Sequence, residues 1–228
     1  MRANNGPYTG RIHKVCARLD ASPGYKNLSF NGDRGKDFQV VAQMFWIVSA
    51  CKGMPTIQKL ETWLGKTEDV SSTVINSIDQ AVDIFCALLE DDNLNAVFHH
   101  EKVSILQFIM ILFYIHMYAS KMSMAMLSNG IGALRVHISG KKNALNSTNY
   151  TASERHVRSL AKKPMPQGDG EDDIPASQKI KKIMTSKVKG KVGKGGKEKP
   201  SKVNDEDAED VNPLQKLCFL VLISDSHT

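Results

Sequence analysis

Apolar side chains recur along residues 11 to 140 at three- and four-residue spacing, so this part of the chain is patterned for helices rather than strands. Ile12, Val15, Cys16 and Leu19 make one narrow stripe over Arg11 to Leu19, and Ser22-Pro23-Gly24 ends it. A second stripe, Phe38, Val41, Ala42, Phe45 and Val48, is widened by Met44 and Ile47. Asp33 can cap its helix, and Gly53 stands where a left-handed residue closes one. Thr56 can cap a short third helix that sets Ile57, Leu60 and Leu64 beside Trp63 and stops at Gly65. Ser72 to Glu90 carries the clearest amphipathic pattern, through Val74, Ile75, Ile78, Ala81, Val82, Phe85, Leu88 and Leu89. Ser123 opens a last core helix with Met126, Leu127, Ile131, Leu134 and Ile138 on one side. Gly130 and Gly132 are expected to weaken it by roughly 1 kcal/mol each relative to alanine.

The stretch Val103 to Ala119 differs from all of these, because only Ser104, Gln107 and His116 interrupt its apolar side chains. A helix without a polar face belongs in a membrane or at the centre of a helical domain. Ser104 and Gln107 have capping-box spacing, and Val103 can staple onto Phe108, which starts the helix near residue 105. What remains is shorter than the roughly 20 apolar residues that a bilayer needs. The expectation is therefore a buried central helix and no membrane span, with His116 a core histidine holding one hydrogen-bond partner. The methionines between 110 and 126 read as core gap-fillers, with an adaptable binding groove as the other use of such a cluster.

These elements predict an all-α fold, an irregular bundle of five or six helices. Residues 1–10 are expected to be a loose start, 11–140 the helical domain and 141–163 a helical or loop extension. Residues 164–228 are expected to be a disordered tail of charge blocks. The net charge of +6 resides wholly in residues 1–163, whereas the tail balances in sum. Gln167 to Asp173 and Asp205 to Asp210 are acidic, and ten lysines against one glutamate fall between Ser177 and Lys202. So few apolar residues cannot offset the entropy of ordering.

Candidate chemistry is sparse. Lys187, Lys189, Lys191, Lys194, Lys197 and Lys199 form a glycine-spaced polycation that suits phosphates, without the aromatic residues that stack on bases. The glycines there do not fit a phosphate-binding loop in any register. Cys16, Cys51, Cys86 and Cys218 contain no C-x-x-C pair, and His99-His100-Glu101 lacks the spacing that puts two imidazoles on one helical face. No metal and no cofactor are expected. Cysteine usage and the absence of a secretory pattern at the start suggest an intracellular protein, nuclear or cytoplasmic.

One resemblance adds to this. The run Asp33-Arg34-Gly35-Lys36-Asp37-Phe38-Gln39, then Pro55-Thr56, Leu60-Glu61, Trp63-Leu64 and Val103-Ser104-Ile105-Leu106-Gln107-Phe108 resembles the helical region of GmrSD-type restriction endonuclease family proteins. The fungal branch is nearest, and its N-terminal part is similar to the ParB and sulfiredoxin fold. The similarity runs over about residues 11 to 138. In prokaryotic relatives the ParB-like portion is associated with nucleotide use and modification-dependent DNA restriction, through an Asp-Gly-Gln-Gln-Arg-like motif, often Asp-Gly-Lys-Gln-Arg in fungal members. Neither motif occurs here, nor does a His-Asn-His nuclease motif. The resemblance thus implies a non-catalytic fragment or truncated member, beginning after the catalytic portion and acting as a scaffold or protein-partner-binding piece. Asp33, Arg34, Lys36 and Asp37 are family-like residues without an assigned role. The alternative is a nuclear, sequence-independent nucleic-acid-binding protein that acts through the lysine-rich tail.

Overall fold

The computed structural model describes residues 6–28, 36–50, 53–67, 69–99, 101–140, 144–160 and 174–189. All secondary structure among them is helical: α1 (Pro7–Ala21), α2 (Pro23–Asn27), α3 (Lys36–Ala50), α4 (Ile57–Leu64), α5 (Ser72–Glu90), a 3₁₀ turn (Asn95–Phe98), α6 (Ile105–Tyr118), α7 (Met124–His137), α8 (Ser147–Leu160) and α9 (Ala176–Lys189). Of the nine α-helices among the described residues, seven, α1 to α7, make up the domain expected to hold five or six, and the one-turn α2 is the addition there. The chain divides into two units, Met1–Ser186 and Lys187–Thr228, and in the second only the end of α9 falls among the described residues.

Helix α6 is the centre, as its composition demands. It packs against α3, α5, α7 and α8, and the continuous run Leu106 to Ile115 is buried. Each polar interruption in that run has a partner. Ser104 Oγ accepts from the Gln107 amide at 3.1 Å while Gln107 Oε1 accepts from the Ser104 amide at 3.0 Å, so the expected capping box is formed. Gln107 Nε2 then donates to the carbonyls of Arg135 and Ile138 at 3.2 and 3.4 Å, tying the start of α6 to the end of α7. His116 Nδ1 lies 2.5 Å from Ser77 Oγ on α5. Among the described helices only α5 has the length and hydropathy to cross a membrane, and α6, α1 and α2 pack against it.

The other stripes fold as patterned, with differences at their edges. Ile12, Val15 and Leu19 of α1 are buried, but the helix begins at Pro7, not Arg11. Proline presets the backbone for a first helical turn and lacks an amide that would go unpaired there. Gly6 precedes it because a Cβ there would meet the Leu64 carbonyl oxygen at 2.5 Å. Ser22-Pro23-Gly24 does break α1, yet Pro23 starts the single turn of α2. Gly53 is not left-handed: among the described glycines only Gly140 has positive φ, and the Gly53 carbonyl instead accepts from Trp46 Nε1 at 3.2 Å. Trp63 is core, against Tyr8 with ring centroids 4.1 Å apart and edge-on to Trp46 at 5.8 Å. Met110, Met122 and Met124 are buried gap-fillers, and Met122 Sδ accepts the Tyr114 hydroxyl at 3.2 Å.

Two elements lie where the sequence pattern was weak. Helix α8 occupies residues 147–160 of the expected extension, burying Tyr150, Ser153, Val157 and Leu160 and accepting the Tyr118 hydroxyl at the Val157 carbonyl, 3.2 Å. Helix α9 lies inside the expected disordered tail and corrects that boundary. Its first amides donate to the α6–α7 connection, Ala176 to the Met122 carbonyl at 2.9 Å and Ser177 to the Ala119 carbonyl at 3.0 Å, and Ala176 and Ile180 are buried. Pairing these amides, which an isolated helix leaves open, lets a short lysine-rich helix hold without a wide apolar face. Residues 164–173 and 190–228 of the expected tail lie outside the described residues.

Candidate functional site

The lysines expected to meet nucleic acid divide at the end of α9. Lys187 and Lys189 lie in its last turn, whereas Lys191, Lys194, Lys197 and Lys199 are outside the described residues. Nearer the docked end, Lys179, Lys181 and Lys182 are exposed, while Ile180 between them is buried. The alternation follows from helical geometry: Ala176 and Ile180 are one turn apart on a single face, and the lysines flank it.

Of the motif residues, Asp33 and Arg34 lie outside the described residues and Lys36 is the first residue of α3. Asp37 is half-buried in the first turn, and its Oδ1 has no hydrogen-bond partner among the described residues. Burial and the nearby carboxylate of Asp20 raise its pKa. A carboxylate already opposed by another would repel a phosphate, so Asp37 is a poor member of an anion site. The same burial, with Asp37 and Asp20 beside it, pushes the Cys16 thiol up to about 12 and leaves it inert near neutrality. Thr56, Leu60, Trp63, Leu64 and the 103–108 segment all cap or fill helices, so these positions of the family-like pattern also have a local structural role.

Histidine placement offers two other constellations. Ser77 and His116 have the separation of a nucleophile and its base, yet among the described residues no carboxylate is hydrogen-bonded to the imidazole. Burial lowers the His116 pKa to about 4, which keeps the ring neutral near pH 7 and makes it a weak base. In unfolded chain the ring titrates near 6.5, so between pH 6.5 and 4 the unfolded state binds the extra proton. Stability should then be full above pH 6.5 and fall, by on the order of 2–3 kcal/mol, as pH drops to 4. Comparing urea midpoints at pH 7 and 5 checks this, since His116→Gln should flatten the pH dependence; an unchanged slope would show that another group is responsible. Elsewhere, His137 of α7 and His156 of α8 stack in parallel with centroids 3.9 Å apart, and this serves to join the two helices. His99 is in the turn after the 3₁₀ segment, and among the described residues no group of three or more His, Cys, Asp or Glu could hold a metal ion.

A concave site lies at the end of α5. The end of α5, the turn after it and α2 enclose a cleft of about 250 Å³. Leu28 and Leu89, both buried, line it together with Pro23 and Gly24, and Asn27, Glu90, Asp92, Asn95 and His99 complete the wall. Gly24 allows the close approach of α2 to α5, because a Cβ there would lie 2.6 Å from Leu89 Cβ. On the adjoining faces Arg18 bridges α1 to Asp79 at 2.5 Å and to Asp83, and Ser22 Oγ donates to Glu90 Oε1 at 2.9 Å. The 91–101 connection is held from α7 by Ser128 Oγ donating to the Leu94 carbonyl at 2.8 Å, and by Arg135 donating to the carbonyls of Val97 and of Glu101, the latter at 2.6 Å. The sequence did carry a signal for this place. Helix α5 has no basic residue in its last turn and ends Glu90-Asp91-Asp92, three acids at the negative pole of the helix dipole. No family model, no curated protein and no solved structure matches this chain.

Proposed function

We propose that this chain is a helical scaffold that presents a lysine-rich segment to a polyanionic partner, nucleic acid foremost, and that it does so without catalysis of its own. The observation that supports this reading is the attachment of α9, by two amides and by Ala176 and Ile180, with Lys179, Lys181 and Lys182 exposed beside the buried face. Lysines in fixed order along a helix, followed in sequence by Lys191, Lys194, Lys197 and Lys199, supply phosphate neutralisation and no reading of base edges. Membership of a GmrSD-like family, as a fragment of the helical region, belongs to the same proposal and rests on the D-R-G-K-D-F run. A flanking coding segment carrying an Asp-Gly-Lys-Gln-Arg-like motif would return the enzyme reading.

A salt titration of duplex binding by the whole chain tests the function. If four to six lysines engage phosphates, the log-log slope should be about −4 to −5, with little preference among sequences. Asp205 to Asp210 should compete for the lysines, so deleting them should tighten binding, and Lys→Gln at 187, 189, 191, 194, 197 and 199 together should abolish it. Binding that survives the lysine replacements, or that shows no salt dependence, would overturn the reading.

A further inference from the structure

We infer that the cleft between α2 and the end of α5 binds a protonated primary alkylamine, an ammonium group on a short aliphatic stem. Three independent features lead there. The first is size: about 250 Å³ is below the roughly 300–1,000 Å³ of clefts that bury drug-sized ligands, and it suits a group as small as a lysine side chain. The second is lining chemistry, in which buried Leu28 and Leu89 offer apolar surface to methylenes, while Glu90, Asp92, Asn27 and Asn95 offer oxygen acceptors. Among the described residues, neither lysine nor arginine contributes to the wall. The third is the polarity of α5. Nineteen aligned peptide units converge their negative end on the cleft, and the chain adds acids where lysine or arginine would stabilise the helix by about 0.3–1 kcal/mol each. Such a local rule broken at the mouth of a cleft marks a place kept for a cation.

The acceptors are also held in place. Glu90 Oε1 is fixed by Ser22, and Asp91 Oδ1 accepts from the Asn93 amide at 3.0 Å, which turns the chain and sets Asp92 at the wall. Asn95 Nδ2 donates to the Leu89 carbonyl at 3.4 Å, so its amide oxygen remains an acceptor. An ammonium has three donors and no acceptor, which matches a wall of carboxylate and amide oxygens, and its stem lies on the leucines as long cationic side chains do on apolar surface.

Two-dimensional amide NMR of the whole chain, titrated with pentane-1,5-diamine, with an acetyl-Gly-Lys-Gly-amide peptide and with pentan-1-ol, tests the inference. The diamine, the peptide or both should give saturable shifts at Gly24, Asn27, Glu90 and Asn95, and which of them does so separates a free polyamine from a partner's lysine as the source. Glu90→Gln with Asp92→Asn should weaken binding at least tenfold; both positions are exposed, so the variant should remain folded, and its amide spectrum verifies that. The inference is overturned if pentan-1-ol shifts the same amides equally, if the double variant binds as tightly, if the shifts spread over all acidic surface, or if calcium reproduces them at lower concentration than either amine.

Discussion

Gly130→Ala should destabilise the fold by about 2 kcal/mol, although helix propensity alone favours alanine by roughly 1 kcal/mol. Gly130 is buried in α7, where Tyr114 of α6 crosses it: a Cβ would lie 2.0 Å from the phenolic oxygen and 2.5 Å from Cζ. Tyr114 is itself fully buried and directs its hydroxyl at Met122, so it is not a flexible tip that can swing into water. Overpacking of this kind costs about 1–3 kcal/mol, and occasionally more, which exceeds the propensity gain. Urea midpoints decide the sign. Adding Tyr114→Phe should recover part of the loss, and not all of it, because the ring carbons still stand closer than 3.0 Å to the new methyl group. A Gly130→Ala protein more stable than the parent would show that α6 and α7 do not approach as described.

The same glycine shows why part of the fold was legible in the sequence and part was not. Read along α7, Gly130 is a weak point; only the contact with Tyr114, on another helix, makes it necessary. Features that depend on neighbours within one helical turn were readable: the capping box at Ser104 and Gln107, the Thr56 and Ser123 caps, and the stripes of α1, α3 and α5. The solitary partner of His116 was also anticipated, because a neutral imidazole in an apolar run needs one. Docking decides the others. Helix α9 has a narrow apolar face, and its stability comes from amides given to carbonyls of the α6–α7 connection, over fifty residues earlier in sequence. The candidate site divides in the same way. Its lysines were visible as composition, and the acids at the end of α5 were visible as residues. The cleft that gives those acids a use depends on Gly24 bringing α2 against Leu89, which no local spacing encodes.

Leu112→Asp should leave the chain unfolded at pH 7, with a loss of about 5 kcal/mol or more, comparable to the whole stability of many small domains. Leu112 is 0% exposed in the middle of α6, so the change removes a core side chain, itself a loss of about 2–5 kcal/mol, and strands a carboxyl group in apolar surroundings. The adjacent position should respond differently. Phe113 is 6% exposed, and the Arg158 guanidinium of α8 stands over its ring, 5.8 Å from the centroid. An aspartate at 113 would therefore meet a cation, drawn in part from the Arg158–Glu154 pair at 2.7 Å, and would lose packing without stranding its charge. Phe113→Asp should remain measurably more stable than Leu112→Asp, and combining it with Arg158→Gln should erase that advantage. Circular dichroism at 222 nm with urea titration separates these cases. A folded Leu112→Asp protein would remove α6 from the centre of the bundle, whereas equal loss in both single variants would show that Arg158 gives no support at that edge of the helix.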